Sequence, residues 1–278
     1  MNTEITPVVK QLLILNVLFF IGTELIKMKF GTDIATDTFA MHYVESDKFE
    51  FWQPISHMFM HGGLGHIFFN MFALYSFGST LEHFWGGKRF LFFYISCGLG
   101  AVLLQSSINY FQLQQTLAGA NGLHLSQNTM HQVLNVDFIQ GNYFNKEAFK
   151  NAIQPILEQA GKWNMIQQTS FDSLFKSAMA VNGAMLGASG AIYGLLIAFA
   201  FMFPNAQLGL MFIPIPIPAK YFVPAIVGID VFLGLKGESL FGDGGTGVAH
   251  FAHVGGAISG FLIMWLWRNN KFNTNRWH

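Results

Sequence analysis

Six apolar runs punctuate the chain, near residues 8–26, 64–83, 89–106, 178–203, 208–235 and 246–267. Each is close to the roughly 20 residues that an α-helix needs to cross about 30 Å of hydrocarbon, so the pattern predicts six membrane-spanning helices. Between the third and fourth runs, residues 107–177 are rich in Gln, Asn and Ser. That stretch is too long for a simple connector and predicts an extramembrane insert within a single membrane domain spanning 1–278. Inside it, Asn145 is placed to cap a helix on which Ala148, Phe149, Ala152, Ile153, Ile156 and Leu157 recur at helical spacing, ending near Gly161. Pro155 is expected to bend or shorten it. The stripe fits either a solvated surface helix or one lying on a membrane surface.

Composition strengthens the membrane reading. Of 278 residues, 52% are hydrophobic and 11% charged, with a mean hydropathy of +0.38, too apolar for an ordinary soluble domain. Fifteen basic residues against fifteen acidic ones leave no cationic excess, which argues against a nucleic-acid partner and leaves the lipid bilayer as the surroundings. Cys97 is the single cysteine, so disulfides are excluded and it reads as a small packing residue. Lys10 precedes LLILNVLFFIG with no small-residue cleavage site after it, which predicts a retained first span. With a cytoplasmic N-terminus, Lys10, Lys88, Arg89, Lys220, Arg268, Lys271 and Arg276 fall inside, against Lys27, Lys29, Lys48 and Lys236 in the short outer loops. The bias predicts both termini cytoplasmic. The second, fourth and sixth helices then all enter from the outer face, and their N-terminal ends share one depth.

Polar groups inside a span are costly and raise a functional hypothesis by default. The second helix carries SHMFMHGGLGHIFFN, residues 56–70, in which His66 and Asn70 are one turn apart on one face. The fourth carries Ser189 in GASG, and the sixth carries VAHFAHVGGAISG, residues 248–260, with His250 and His253. Pro204 should end the fourth helix near Phe203, so a helix starting at Ser189 is only about 22 Å long and its N-terminus is sunk in the membrane. The preceding NGAMLGA must then descend as irregular backbone, which predicts a water-accessible pocket. If the sixth helix enters near Thr246, His253 lies about 10 Å down, at the level of Ser189. Gly256 and Gly260, three and seven residues on, give that face the small residues that let two helices approach closely. A serine hydroxyl needs a base to take its proton, and a helix N-terminus suits an oxyanion. Ser189 and His253 are therefore the candidate catalytic pair.

HIFFN, GASG and AHVGG, in that order, together with LEHFWGGKRFLFFY at 81–94, resemble the rhomboid intramembrane serine proteases. The resemblance covers the six spans and leaves out the insert. It implies an all-α bundle of six transmembrane helices with a long inserted loop between the third and fourth. It implies Ser189 as nucleophile and His253 as general base and then acid, with no third carboxylate. Tyr193 would be the aromatic on which the imidazole rests. His66 and Asn70 would join the Ser189 backbone N–H in the oxyanion hole, and Gly187 would permit the tight turn before the serine. His57 and His61 match structural positions in the first loop, and Glu82 matches a helix-end hydrogen-bonding group. FWQP places Gln53 where the family often has Arg, a departure that bears on the rigidity of that loop. The implied substrates are transmembrane segments of single-pass proteins, cut through an acyl-enzyme with no cofactor or metal, in a bacterial cytoplasmic membrane. The alternative within the family is an inactive relative that binds transmembrane helices without cleaving them. A metal site on His57, His61, His66, His250 and His253 is disfavoured, because the sequence has no HExxH, no inward carboxylate is expected near these residues, and Asn70 is a poor ligand.

Overall fold

The computed structural model describes residues 4–140, 143–210, 213–236 and 249–268, and the protein is mostly helical. The chain opens with α1, Pro7–Phe30, and a short helix α2, Ile34–Phe39. The first loop then holds α3, Gln53–Ser56, and a single turn at His57–Phe59. The next apolar run is helical throughout, as α4, Leu64–Ala73, a π-turn at Leu74–Gly78, and α5, Ser79–Trp85. Helix α6, Gly87–Leu117, follows directly after Gly86. Glu82 of α5 closes the start of α1, accepting hydrogen bonds from Thr6 Oγ1 (2.5 Å), Val8 N (3.0 Å) and Val9 N (2.9 Å). It thereby satisfies amides that a helix N-terminus leaves unpaired.

Helix α6 has 31 residues and is about 46 Å long, well beyond a 30 Å hydrocarbon core. Its last turns carry Leu113 into a second hydrophobic cluster built by α7, Gln127–Leu134, α8, Lys146–Gln159, and α9, Gln168–Asn182. Helix α8 is capped by the Asn145 side chain, which accepts from Glu147 N and Ala148 N, both at 2.9 Å. Phe149, Ile153 and Leu157 are fully buried against Phe138, Phe171 and Leu174. The apolar stripe is thus buried against the insert's own core while the opposite face is exposed, as on a surface helix of a folded unit. Pro155 does not stop the helix, because it sits on the exposed face where the carbonyl it leaves unpaired can meet water.

The fourth apolar run divides. Residues 178–182 complete α9, residues 183–188 are irregular, and α10 runs from Ser189 to Met202. The fifth run departs from expectation: Gln207–Leu210 (β3) and Ile213–Pro218 (β4) pair as an antiparallel hairpin, and helix α11 starts only at Ala219 and ends at Lys236. The cause is IPIPIP, whose alternating prolines remove the amide donors a helix interior requires. A small hairpin in the insert, Ile139–Gln140 (β1) with Tyr143–Phe144 (β2), completes the strands described. Helix α12, His250–Trp267, follows; the expected entry near Thr246 lies outside the described residues. Among the described residues three helical segments are long and apolar enough to cross a membrane, Pro7–Phe30, Gly87–Leu123 and His250–Trp267, while Ser189–Met202 is apolar but shorter.

Helices α6, α10 and α12 form the centre of the larger core. A Cβ at Gly256 would lie 1.8 Å from the Gly190 carbonyl oxygen, and one at Gly260 would lie 2.8 Å from Gly194 Cα. Only glycine lets α12 come this close to α10.

Candidate active site

Ser189 is the first residue of α10, preceded by Ala188 with no side-chain cap, so the amides of that first turn lack intrahelical partners. The irregular approach to it is tied to the first loop. Met41 and Met185 exchange two backbone hydrogen bonds, of 2.9 and 2.8 Å, and Gly187 N donates to the His57 carbonyl at 2.9 Å. Backbone groups of Met185 and Gly187 in this descent are therefore paired with protein, which is how non-helical chain is tolerated at membrane depth. Gly187 has φ +118°, a conformation that L side chains rarely adopt. A Cβ there would meet His66 Nε2 at 2.7 Å and Ser189 Oγ at 3.7 Å, so the missing side chain leaves a small space flanked by the imidazole and the hydroxyl.

One helix away, α12 presents His253. Its Nε2 lies 2.8 Å from Ser189 Oγ, and its ring stacks on Tyr193 with centroids 4.3 Å apart and planes 9° from parallel. Both Ser189 and His253 are half-buried. His66 also accepts from Gly62 N at 3.3 Å through Nδ1, while Asn70, one turn along α4, is buried with its Nδ2 without a hydrogen-bond partner. An unpaired buried donor is expensive and is expected where an acceptor arrives later. Contacts thus join Ser189, His253, Tyr193, Gly187 and His66, while Gly256 and Gly260 pack α12 on α10 at Gly190 and Gly194, and Asn70 lies one turn beyond His66 on α4.

The first-loop residues do structural work. Burial pushes the His57 and His61 imidazoles down to about 4, so both are neutral near pH 7. His57 Nδ1 donates to the Gln53 carbonyl at 3.1 Å. Gln53 is fully buried: its Oε1 accepts from His42 N (3.1 Å), and its Nε2 donates to the carbonyls of Lys48 (2.7 Å) and Asp37 (3.2 Å). An amide thus braces the loop in its own way.

One buried carboxylate escaped the sequence reading, which expected none. Asp230 of α11 reaches the histidines: its Oδ1 lies 3.1 Å from His253 Nδ1 and 2.5 Å from His250 Nδ1, and the Tyr193 hydroxyl donates to its Oδ2. The available signal was physical rather than a motif, an ionisable residue in an apolar run. The ligand atoms of Asp230, His250 and His253 lie within 4.8 Å of one another, so this is also the group among the described residues that could hold a metal. Carboxylate and imidazole donors of this kind suit zinc.

The geometry defines a class, a helical membrane protein with a Ser–His pair at the head of a short apolar helix. The Rhomboid domain model matches residues 48–139 and 153–270, and the chain belongs to the rhomboid family. The match starts beyond α1 and reaches into much of the insert, which the motifs alone did not cover. The chain is 26% identical over 230 residues to an uncharacterized mitochondrial rhomboid protein of Schizosaccharomyces pombe, covering 79% of this chain and 52% of that one. It is 32% identical to the mitochondrial presenilin-associated rhomboid-like protein A of Danio rerio, over 38% of this chain and 27% of the relative. It is 36% identical over 50 residues to the rhomboid protease GluP of Bacillus subtilis, 18% of this chain and 10% of that protein. The chain thus aligns with about half, or less, of the length of these curated relatives. The first two carry mitochondrial names, so the expected bacterial cytoplasmic membrane gains no support from them.

Proposed function

We propose that this protein is an intramembrane serine endopeptidase that cleaves transmembrane segments of single-pass membrane proteins. The observation that carries the reading is the 2.8 Å approach of His253 Nε2 to Ser189 Oγ. In this mechanism the imidazole takes the Ser189 proton as Oγ attacks the scissile carbonyl, then delivers it to the leaving amine. The developing oxyanion sits in the space beside Gly187 and receives hydrogen bonds from the Ser189 N–H, His66 and the unpaired Asn70 amide. Each such donor is worth roughly 3 kcal/mol of transition-state stabilisation. Water then hydrolyses the acyl-enzyme through the same base. The topology carried with this reading has six spans, both termini on the cytoplasmic side, and the insert on the opposite side with the site.

The rival reading, an inactive helix-binding relative, has less in its favour because both the hydroxyl and the imidazole are present and in contact. A fluorophosphonate probe and a reporter transmembrane substrate test the proposal in proteoliposomes. Wild type should label and cleave, and Ser189→Ala and His253→Ala should do neither while melting normally. Turnover retained in either variant refutes the dyad.

A further inference from the structure

We propose that Asp230 is a positioning residue for His253, completing a Ser189–His253–Asp230 relay held by His250 and Tyr193. The inference rests on the serine-protease reading above and deepens it. It starts from hydrogen-bond chemistry. An ionised carboxylate accepts and never donates, so a histidine nitrogen facing it must carry the proton. Asp230 Oδ1 faces Nδ1 of His253 at 3.1 Å, which makes Nδ1 the protonated nitrogen and leaves the lone pair on Nε2, 2.8 Å from Ser189 Oγ. The carboxylate thus selects the tautomer that can act as a base. During attack the serine proton moves to Nε2, the Nδ1 proton stays on the ring, and the charge that forms on the imidazolium is balanced by Asp230, which stays ionised.

The rest of the cluster makes that carboxylate tenable. Asp230 is 5% exposed, and an isolated buried carboxylate is strongly disfavoured. Here it accepts three hydrogen bonds, from Nδ1 of His250, Nδ1 of His253 and the Tyr193 hydroxyl. Tyr193 consequently does two things, stacking beneath the imidazole and anchoring the carboxylate that orients it. The ionisable groups facing His253 come from four helices: His66 of α4, Tyr193 of α10, Asp230 of α11 and His250 of α12.

Two measurements test this on the full-length protein in proteoliposomes. The first is wild-type protein with 15N-labelled histidine, the His253 signals assigned by their loss in His253→Ala. Nδ1 protonated and Nε2 bare is the expected neutral form, and the opposite tautomer overturns the proposal whether or not any Asp230 variant folds. The second is kinetics of Asp230→Asn, with Asp230→Glu as the conservative variant. Losing the carboxylate should lower kcat by about 10²- to 10⁴-fold with KM within about twofold, and slow fluorophosphonate labelling in parallel. Asp230→Glu should recover part of the loss. Full kcat in Asp230→Asn, or a loss carried by KM and melting temperature instead, overturns the assignment. A wild type that neither labels nor cleaves is a separate result that defeats the serine-protease reading itself.

Discussion

Gly256→Ala puts the link between packing and chemistry under direct strain. The added methyl would stand 1.8 Å from the Gly190 carbonyl oxygen, a backbone atom that no rotamer change can move away. Ordinary contact needs about 3.5 Å, so α12 must back away from α10 by roughly 1.7 Å. Overpacking of this kind typically costs about 1–3 kcal/mol. Ser189 and His253 sit on those same two helices, and their 2.8 Å hydrogen bond does not survive such a shift. Misplacing reacting groups by about 1 Å costs on the order of 10²-fold in rate, so kcat should fall at least that far. Turnover of a reporter transmembrane substrate in proteoliposomes, paired with thermal unfolding, reads both effects. Gly228→Ala is the control: it lies on α11 with nothing within 4 Å of the new methyl, and should keep full turnover. A Gly256→Ala protein with wild-type kcat and melting temperature would refute the argument.

Two further outcomes follow from groups outside the site. Glu82→Ala removes the acceptor for Val8 N, Val9 N and Thr6 Oγ1 and should destabilise the protein by about 2–3 kcal/mol, seen as a lower melting temperature and faster proteolysis near α1. His57, held down to about 4 by burial, is protonated only in the unfolded chain between that value and about 6.5. Its contribution is therefore complete above pH 6.5 and lost as pH falls through 4, about 3 kcal/mol in all. Denaturant unfolding of His57→Gln between pH 7 and pH 4 should show a correspondingly shallower fall, and an unchanged slope would count against a buried neutral imidazole.

Much of the site was legible because its residues belong to short local patterns. HIFFN, GASG and AHVGG each place a side chain within one turn, and glycine spacing marks where helices meet. Asp230 was not legible in that way. Its partners lie 20, 23 and 37 residues distant, and nothing local in VGIDVF announces them. The N-terminal half of the fifth run misled for a different reason: apolar content was read before the alternation of proline, which forces a hairpin at Gln207–Pro218. The helix after Asn145 was placed within a residue or two, but its burial depended on Phe138, Phe171 and Leu174, which only tertiary structure brings against it. Gln53 shows the same limit, since a side chain that replaces a guanidinium braces the loop through carbonyls the sequence cannot locate.

The paired backbones of Met41 and Met185, and the bond from Gly187 N to His57, also have a mechanical meaning. The segment that delivers Ser189 hangs from two anchor points on the first loop, and those points, rather than the chain leading out of α9, carry its load. Force applied at Met41 or His57 passes straight to Met185 or Gly187, two to four residues from the serine. Length changes in that loop are the ones the site tolerates least, and the insert leans on the same loop: Asn135 hydrogen-bonds Asp47 N and the Glu45 carbonyl, and Tyr43 packs in the insert's core.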